Sequence, residues 1–201
     1  MAAMTHVVLL HSVLGLRPVE LLAAERLRRA GHDVVAPDLF GGVAANTLDE
    51  GFGLLNRVGW DTVTRRARSA LEDMPVDTVL AGVSMGAGVV SALLPERTAT
   101  AGVLLLHATA ELPAGSRPGL PLQLHAADPD PFAPPERVAA LEVAARRYGA
   151  ALEIFRHPGV GHFYTDPGSP EHDAAAAELT WARVVGFLDR LDPRPAPDVR
   201  P

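Results

Sequence analysis

A chain of 201 residues with 48% hydrophobic content is long enough for one domain that buries roughly 70% of its unfolded surface. The absence of cysteine excludes disulfides, thiolate nucleophiles and cysteine metal sites, so any chemistry runs on oxygen and nitrogen. A formal net charge of -6 argues against nucleic acid as a partner, since binders of polyanions concentrate Lys and Arg on one face.

The opening segment MAAMTHVVLLHSVLGLRP carries no basic residue before its apolar run, and His11 and Ser12 interrupt that run, so it reads as a strand and not as a signal. The strand is predicted over 6–10. A helix follows from Pro18, well placed for a first turn, and stops at RRAGH, where Gly31 suits a left-handed cap. A second strand is predicted over 33–37. The glycine-rich stretch 38–56 has no clear period and reads as a loop of the kind that often carries function. A helix over 57–73, a strand over 77–82 (DTVLAG) and a helix over 85–94 come next. Strands at 101–106 (AGVLLL) and 120–125 (LPLQLH), a helix at 135–147, a strand at 151–155 (ALEIF) and a helix at 172–191 complete the series. In the last helix Trp181, Val184, Val185, Leu188 and Leu191 recur at helical spacing, which makes one apolar face. The strands show little apolar/polar alternation, as strands buried on both faces should, and strands alternating with helices predict a parallel sheet between helix layers. The tail 192–201 is proline-rich and is expected to be disordered. No apolar stretch approaches the ~20 residues of a membrane span, and the expectation is a soluble, cytoplasmic protein with no membrane partner.

Gly82, Ser84 and Gly86 stand in G-x-S-x-G order between a predicted strand and a helix of small residues, the context of a nucleophile elbow. Such a turn forces the serine into a strained conformation, lifts its hydroxyl above the sheet and aims the next backbone N–H at the reacting oxygen. A serine hydroxyl is a poor nucleophile until a base takes its proton and a third group orients that base. In this architecture the partners follow in the order serine, acid, histidine. HAADPDPF offers Asp128 and Asp130 as the acid, both at a strand end. HPGVGHFYTD offers His157 and His162 as the base. His157 lies just past the strand and before Pro158, which favours a structural role, whereas His162 follows the flexible GVG turn and is the stronger candidate. His11 and His107 end strands where α/β sites form and are candidates to line the pocket, beside the plainer reading of satisfied polar positions. No histidine pair has tight ligand spacing with a carboxylate partner, so no metal and no cofactor is expected.

The segments VVLLHSVLGL, GHDVVAPDLFGG, GVSMGAG, LHAADPDPFAPPE and GHFYTDPGSPEHDAAAAELTWARVVGFL together resemble the dienelactone hydrolase family of α/β-hydrolases over nearly the whole chain to Leu191. The resemblance implies an α/β-hydrolase-type, mainly parallel sheet of about six to seven strands flanked by helices, as a single domain over 1–191. Laid on the family's acid motif, Phe132 and Pro134 select Asp130 over Asp128, leaving the latter as a turn residue. The resemblance further implies an oxyanion hole from the backbone N–H groups of Met85 and Val13. It also suggests a substrate pocket drawing on His11, Ser12, Arg57, His107, Phe163 and Tyr164.

Three positions depart from the family. Ser84 stands where the family has a cysteine nucleophile, Ser12 where it has a glutamate that holds the resting thiol, and Asp166 where it has an arginine that grips the substrate carboxylate. The first two agree with each other, since a serine needs no carboxylate to hold a thiol. The third removes a cation, for which Arg57 is the candidate replacement, against the plainer reading of an exposed helix-start arginine. The function expected is a serine hydrolase that cleaves a small-molecule ester or lactone through Ser84, Asp130 and His162, as a monomer or small homo-oligomer. The alternatives are a thioesterase or general carboxylesterase with the same residues, and a non-catalytic protein that binds a small ligand in the same pocket.

Overall fold

Six strands form one parallel sheet in the order β2-β1-β3-β4-β5-β6 in the computed structural model, which describes residues 4–191. The tail 192–201, expected to be disordered, lies outside the described residues. The strands are β1 (His6–Leu10), β2 (Asp33–Val35), β3 (Val79–Val83), β4 (Val103–Leu106), β5 (Pro121–Asp128) and β6 (Ala151–Pro158). Their residues point alternately to two apolar layers, as period-2 geometry requires. Val8, Leu10, Leu80, Val103 and Leu105 enter one layer, and Val7, Leu9, Val79, Ala81, Leu104 and Leu106 enter the other. Burial on both faces is the physical reason that the strands read as unbroken apolar runs. The order reverses direction between β1 and β3, and the crevice beyond the carboxyl ends of these two strands is where ligand sites form in such sheets.

Helices α1 (Pro18–Arg29) and α6 (Ala174–Leu191) cover one face with Ala23, Ala24, Leu27, Trp181, Val184, Phe187 and Leu188. The other face is covered by α2 (Leu48–Val58), α3 (Trp60–Ala70), α4 (Met85–Leu93) and α5 (Pro135–Tyr148), through residues such as Leu54, Val63, Val89, Leu93, Val138 and Leu141.

Three expectations are corrected. The stretch 38–56 is not a loop throughout, because its second half forms most of α2. The Thr47 hydroxyl accepts the Glu50 N–H at 3.2 Å and starts the helix, and Gly51 and Leu54 turn inward. Gly51 and Gly53 hid this helix by lowering its local propensity. The helix expected over 57–73 is divided at Gly59, whose φ of +82° a side-chain-bearing residue adopts only with strain, so α2 ends at Val58 and α3 begins at Trp60. Strands β5 and β6 also run further than expected, pairing in register from Pro121 with Ala151 to Asp128 with Pro158.

Leu104 is fully buried in β4 against the α1 and α6 layer. Leu104→Ala should lower stability by about 2–5 kcal/mol, seen as a lower urea midpoint at unchanged m.

Candidate active site

Between the last residue of β3 and the first of α4 stands Ser84 alone, with φ 51° and ψ -109°, a region sparsely populated by any residue with a side chain. Its N–H donates to the Leu106 carbonyl at 2.8 Å, and its carbonyl accepts from the Ala87 N–H at 2.9 Å. The flanking glycines are required by space. A Cβ on Gly82 would collide with the backbone of Gly86 and Ala87, and one on Gly86 would collide with the Leu10 carbonyl. The G-x-S-x-G spacing is therefore the condition for α4 to start against β1 and β3.

Asp130 arrives from the turn after β5 and His162 from the loop after β6. His162 Nε2 lies 3.0 Å from Ser84 Oγ, and Nδ1 lies 3.0 and 2.9 Å from the two Asp130 carboxylate oxygens. A proton on Nδ1 satisfies Asp130 and leaves Nε2 as acceptor for the serine hydroxyl, so the contacts define one tautomer. Asp130 is anchored in turn, since its Oδ1 accepts the Phe132 N–H at 2.8 Å. All three side chains are buried. The His162 ring is held between Phe132 and Phe163, each with ring centroid 4.5 Å away. The Val13 and Met85 amides donate to no backbone or side-chain group among the described residues; Val13 lies in the loop after β1 and Met85 is the first residue of α4.

Asp128 has a different place. It is the last residue of β5, not a turn residue, and it pairs with Arg156 on β6 at 2.7 Å with half of its side chain exposed. His157 sits within β6, where its Nε2 meets the Thr180 hydroxyl at 3.2 Å, and that hydroxyl also meets Tyr164 Oη at 2.7 Å.

The pocket expected around His11, Ser12, Arg57, His107, Phe163 and Tyr164 is not the cavity in front of Ser84. That cavity, of about 210 Å³, is lined by Val13, Phe52, Trp60, Met85, Phe132 and Arg137, among others. His11 is fully buried and fastens two segments together, donating from Nδ1 to the Ser12 carbonyl and accepting the Leu39 N–H at Nε2. Ser12 Oγ donates to the buried Glu20 carboxylate at 3.1 Å. Arg57 is exposed in the last turn of α2. Tyr164 is fully buried, and His107 and Phe163 line a separate cavity of about 20 Å³ behind the site.

His107 meets the Thr165 hydroxyl through Nε2 at 2.8 Å, and burial, helped by the neighbouring His162, holds it well below the usual imidazole range. Burial likewise lowers His125 to about 3 and lowers His157, so these rings are neutral wall material. Asp166 does not face the Ser84 cavity; its Oδ2 pairs with Arg17 at 2.9 Å. Residues that the sequence reading missed are Phe52, Trp60, Arg137, Arg17 and Glu20. The capping pattern of Thr47 and Glu50 could have exposed the helix carrying Phe52, but nothing local marks Arg137 or Arg17.

A parallel sheet with a strained serine at its switch point, and an acid and a histidine at the two strand ends beyond it, has the architecture of an α/β-hydrolase. The chain belongs to the dienelactone hydrolase family, whose profile matches residues 2–191, and it is a hydrolase by class. Solved structures with the same fold include a dienelactone hydrolase-like promiscuous phosphotriesterase from metagenomic libraries. It is 19% identical, with TM-score 0.76 and coverage of 96% of this chain and 88% of that one. A phospholipase/carboxylesterase from Dyadobacter fermentans is 17% identical over 91% and 90% of the two chains, with TM-score 0.58. An α/β hydrolase from a Medee basin deep-sea metagenome library is 11% identical over 94% and 85%, with TM-score 0.65. No curated protein sequence matches the chain. Among the described residues no helix is long and apolar enough to cross a membrane.

Because Gly86 meets the Leu10 carbonyl, Gly86→Ala should lower stability by about 1–3 kcal/mol through overpacking. It should also slow labelling of Ser84 by a fluorophosphonate, which mass spectrometry can follow at a temperature where the variant remains folded.

Proposed function

We propose that the protein hydrolyses a carboxylic ester or lactone with Ser84 as nucleophile, His162 as general base and Asp130 as the group that orients it. The observation that carries this reading is the pair of contacts on the His162 ring, Nε2 to Ser84 Oγ at 3.0 Å and Nδ1 to Asp130 at 2.9 Å. Nε2 removes the hydroxyl proton as Oγ attacks the carbonyl carbon, and the carbonyl oxygen becomes an oxyanion. The amides of Val13 and Met85 receive that charge, and loss of one such donor typically costs about 3 kcal/mol of transition-state stabilisation. The proton passes from Nε2 to the departing alkoxide, and the acyl group remains on Ser84. Water then gives a proton to Nε2 and attacks the acyl carbon; the bond from that carbon to Ser84 Oγ breaks, the acid leaves, and Nε2 returns the proton to Oγ. Asp130 stays ionised throughout and stabilises the imidazolium.

Shape narrows the substrate. The cavity at Ser84 has aromatic walls, with Phe52 and Phe132 stacked at 6.3 Å between centroids. Trp60, Gly88, Thr109 and Arg137 line both this cavity and an outer groove of about 760 Å³ between α4 and α5. An elongated ester has its reacting carbonyl at Ser84 and its remote end in the groove, beyond Trp60. The Dyadobacter fermentans phospholipase/carboxylesterase shares the fold, and its named activity fits a substrate of this kind.

A panel of esters, lactones and thioesters tests the reaction. Ser84→Ala should abolish turnover, and Asp130→Asn should lower kcat roughly 10⁴-fold by favouring the wrong tautomer. Asp128→Asn should change the rate by less than about threefold, since an exposed ion pair with Arg156 contributes little. Equal losses at the two aspartates would overturn the assignment. On a series of p-nitrophenyl esters of increasing chain length, Trp60→Ala should raise KM for the long members and leave the acetate unchanged.

A further inference from the structure

We infer that Arg17 is a positioning residue that locks the loop carrying the Val13 oxyanion donor to the loop carrying His162; the inference rests on the serine-hydrolase reading above. Arg17 Nη2 lies 2.9 Å from Asp166 Oδ2 and 3.4 Å from Glu20 Oε1, so one nitrogen faces carboxylates from two parts of the fold.

On the oxyanion side the network closes around Val13. Glu20 Oε1 accepts the Ser12 hydroxyl at 3.1 Å, and Oε2 accepts the Arg17 backbone N–H at 3.1 Å. Ser12 Oγ in turn accepts the Leu14 N–H at 3.3 Å, and the Ser12 carbonyl accepts the Gly15 N–H at 3.1 Å. The residues on both sides of Val13 are therefore bound to the Glu20 carboxylate or to the serine that it holds. On the histidine side Asp166 Oδ1 accepts the Gly168 N–H at 2.8 Å, and the Asp166 N–H donates to the Phe163 carbonyl at 2.9 Å. Phe163 is the residue after His162.

Packing makes part of this connection, since Phe163 lies against the apolar cluster of Val13 and Leu14, and the ion pair adds a polar link beside it. A cavity of about 20 Å³ opens here, lined by Arg17, Glu20, His107, Phe163 and Asp166, among others. The network is not an economical source of stability. Glu20 is buried, burial raises its carboxyl above the usual range while Arg17 counters the shift, and apolar residues of similar volume would often stabilise such a site as well. What apolar residues would not supply is a fixed distance between two loops that must act on one carbonyl. Ser12 and Asp166, the two departures from the family that looked unrelated, are the two ends of this single network.

The test compares wild type with Arg17→Met, Arg17→Lys and Asp166→Asn. Fluorophosphonate labelling of wild-type Ser84 comes first; failure there defeats the serine-hydrolase reading itself and leaves the Arg17 question distinct. With labelling present, Arg17→Met should keep KM within about twofold and lower kcat about 10- to 100-fold, the scale of a misplaced catalytic group. Affinity for an alkyl boronic acid, whose adduct on Ser84 places an oxygen in the oxyanion site, should fall by the same factor. Arg17→Lys should recover part of both losses. Asp166→Asn should add little in the Arg17→Met background, as expected for residues that act as one unit. Should Arg17→Met not fold, the kcat and boronate readings on Arg17→Lys and Asp166→Asn decide the matter. Unchanged kcat and boronate affinity, or a lower thermal midpoint without any kcat change, would overturn the proposal.

Discussion

The first turn of α4 lies so close to the end of β1 that no side chain fits between them, and Gly86 therefore faces the Leu10 carbonyl directly. The backbone of Gly82 makes the matching approach from β3. With both glycines in place the chain passes from strand to helix through one residue, and Ser84 takes the strained conformation that this passage demands. The bond from its N–H to the Leu106 carbonyl holds it there, so β4 shares in supporting the turn. Everything else at this end of the sheet is arranged around that fixed point. The Met85 amide opens α4, the Val13 amide follows β1, and the His162 ring reaches Oγ from beyond β6.

Electrostatics distinguishes that ring from its neighbours. His107, His125, His157 and His162 all occupy the carboxyl end of the sheet, stacked or edge-on to one another and to Tyr164 and Phe155. The first three have neutral partners, Thr165, Gln123 and Thr180, and burial disfavours their charged forms. His162 alone of the four has a buried carboxylate on Nδ1. The other three rings form a neutral wall beside it.

The charge pattern behind the site follows the same economy. Asp166, in the loop after β6, and Glu20, in the first turn of α1, face one guanidinium, and each carboxylate also accepts a backbone N–H. In front of Ser84 the cavity is lined mainly by apolar residues, three of them aromatic (Phe52, Trp60 and Phe132), with Arg137 as the charged member of the wall. One side of Ser84 is thus closed by a polar network and the other opens onto a cavity.

By itself the sequence determined the strands, the helix layers and the turn at Ser84. These depend on local rules, since burial on both faces makes a strand apolar throughout and a one-residue turn needs small residues two positions either side. It also held Asp130 and His162 as candidates after β5 and β6, though residue pattern left Asp128 beside Asp130, and only likeness to a family separated them. The tertiary structure decided the rest. Thr47 and Glu50 start a helix that glycines conceal, Asp128 turns to Arg156, and His11 and Tyr164 are structural. Arg17 meets Asp166 because the loops after β1 and β6 come together across the α1 and α6 face. Side chains so far apart in the chain carry no mutual signal in local periodicity, and the walls of the Ser84 cavity come from α2, α3, α4 and α5 for the same reason.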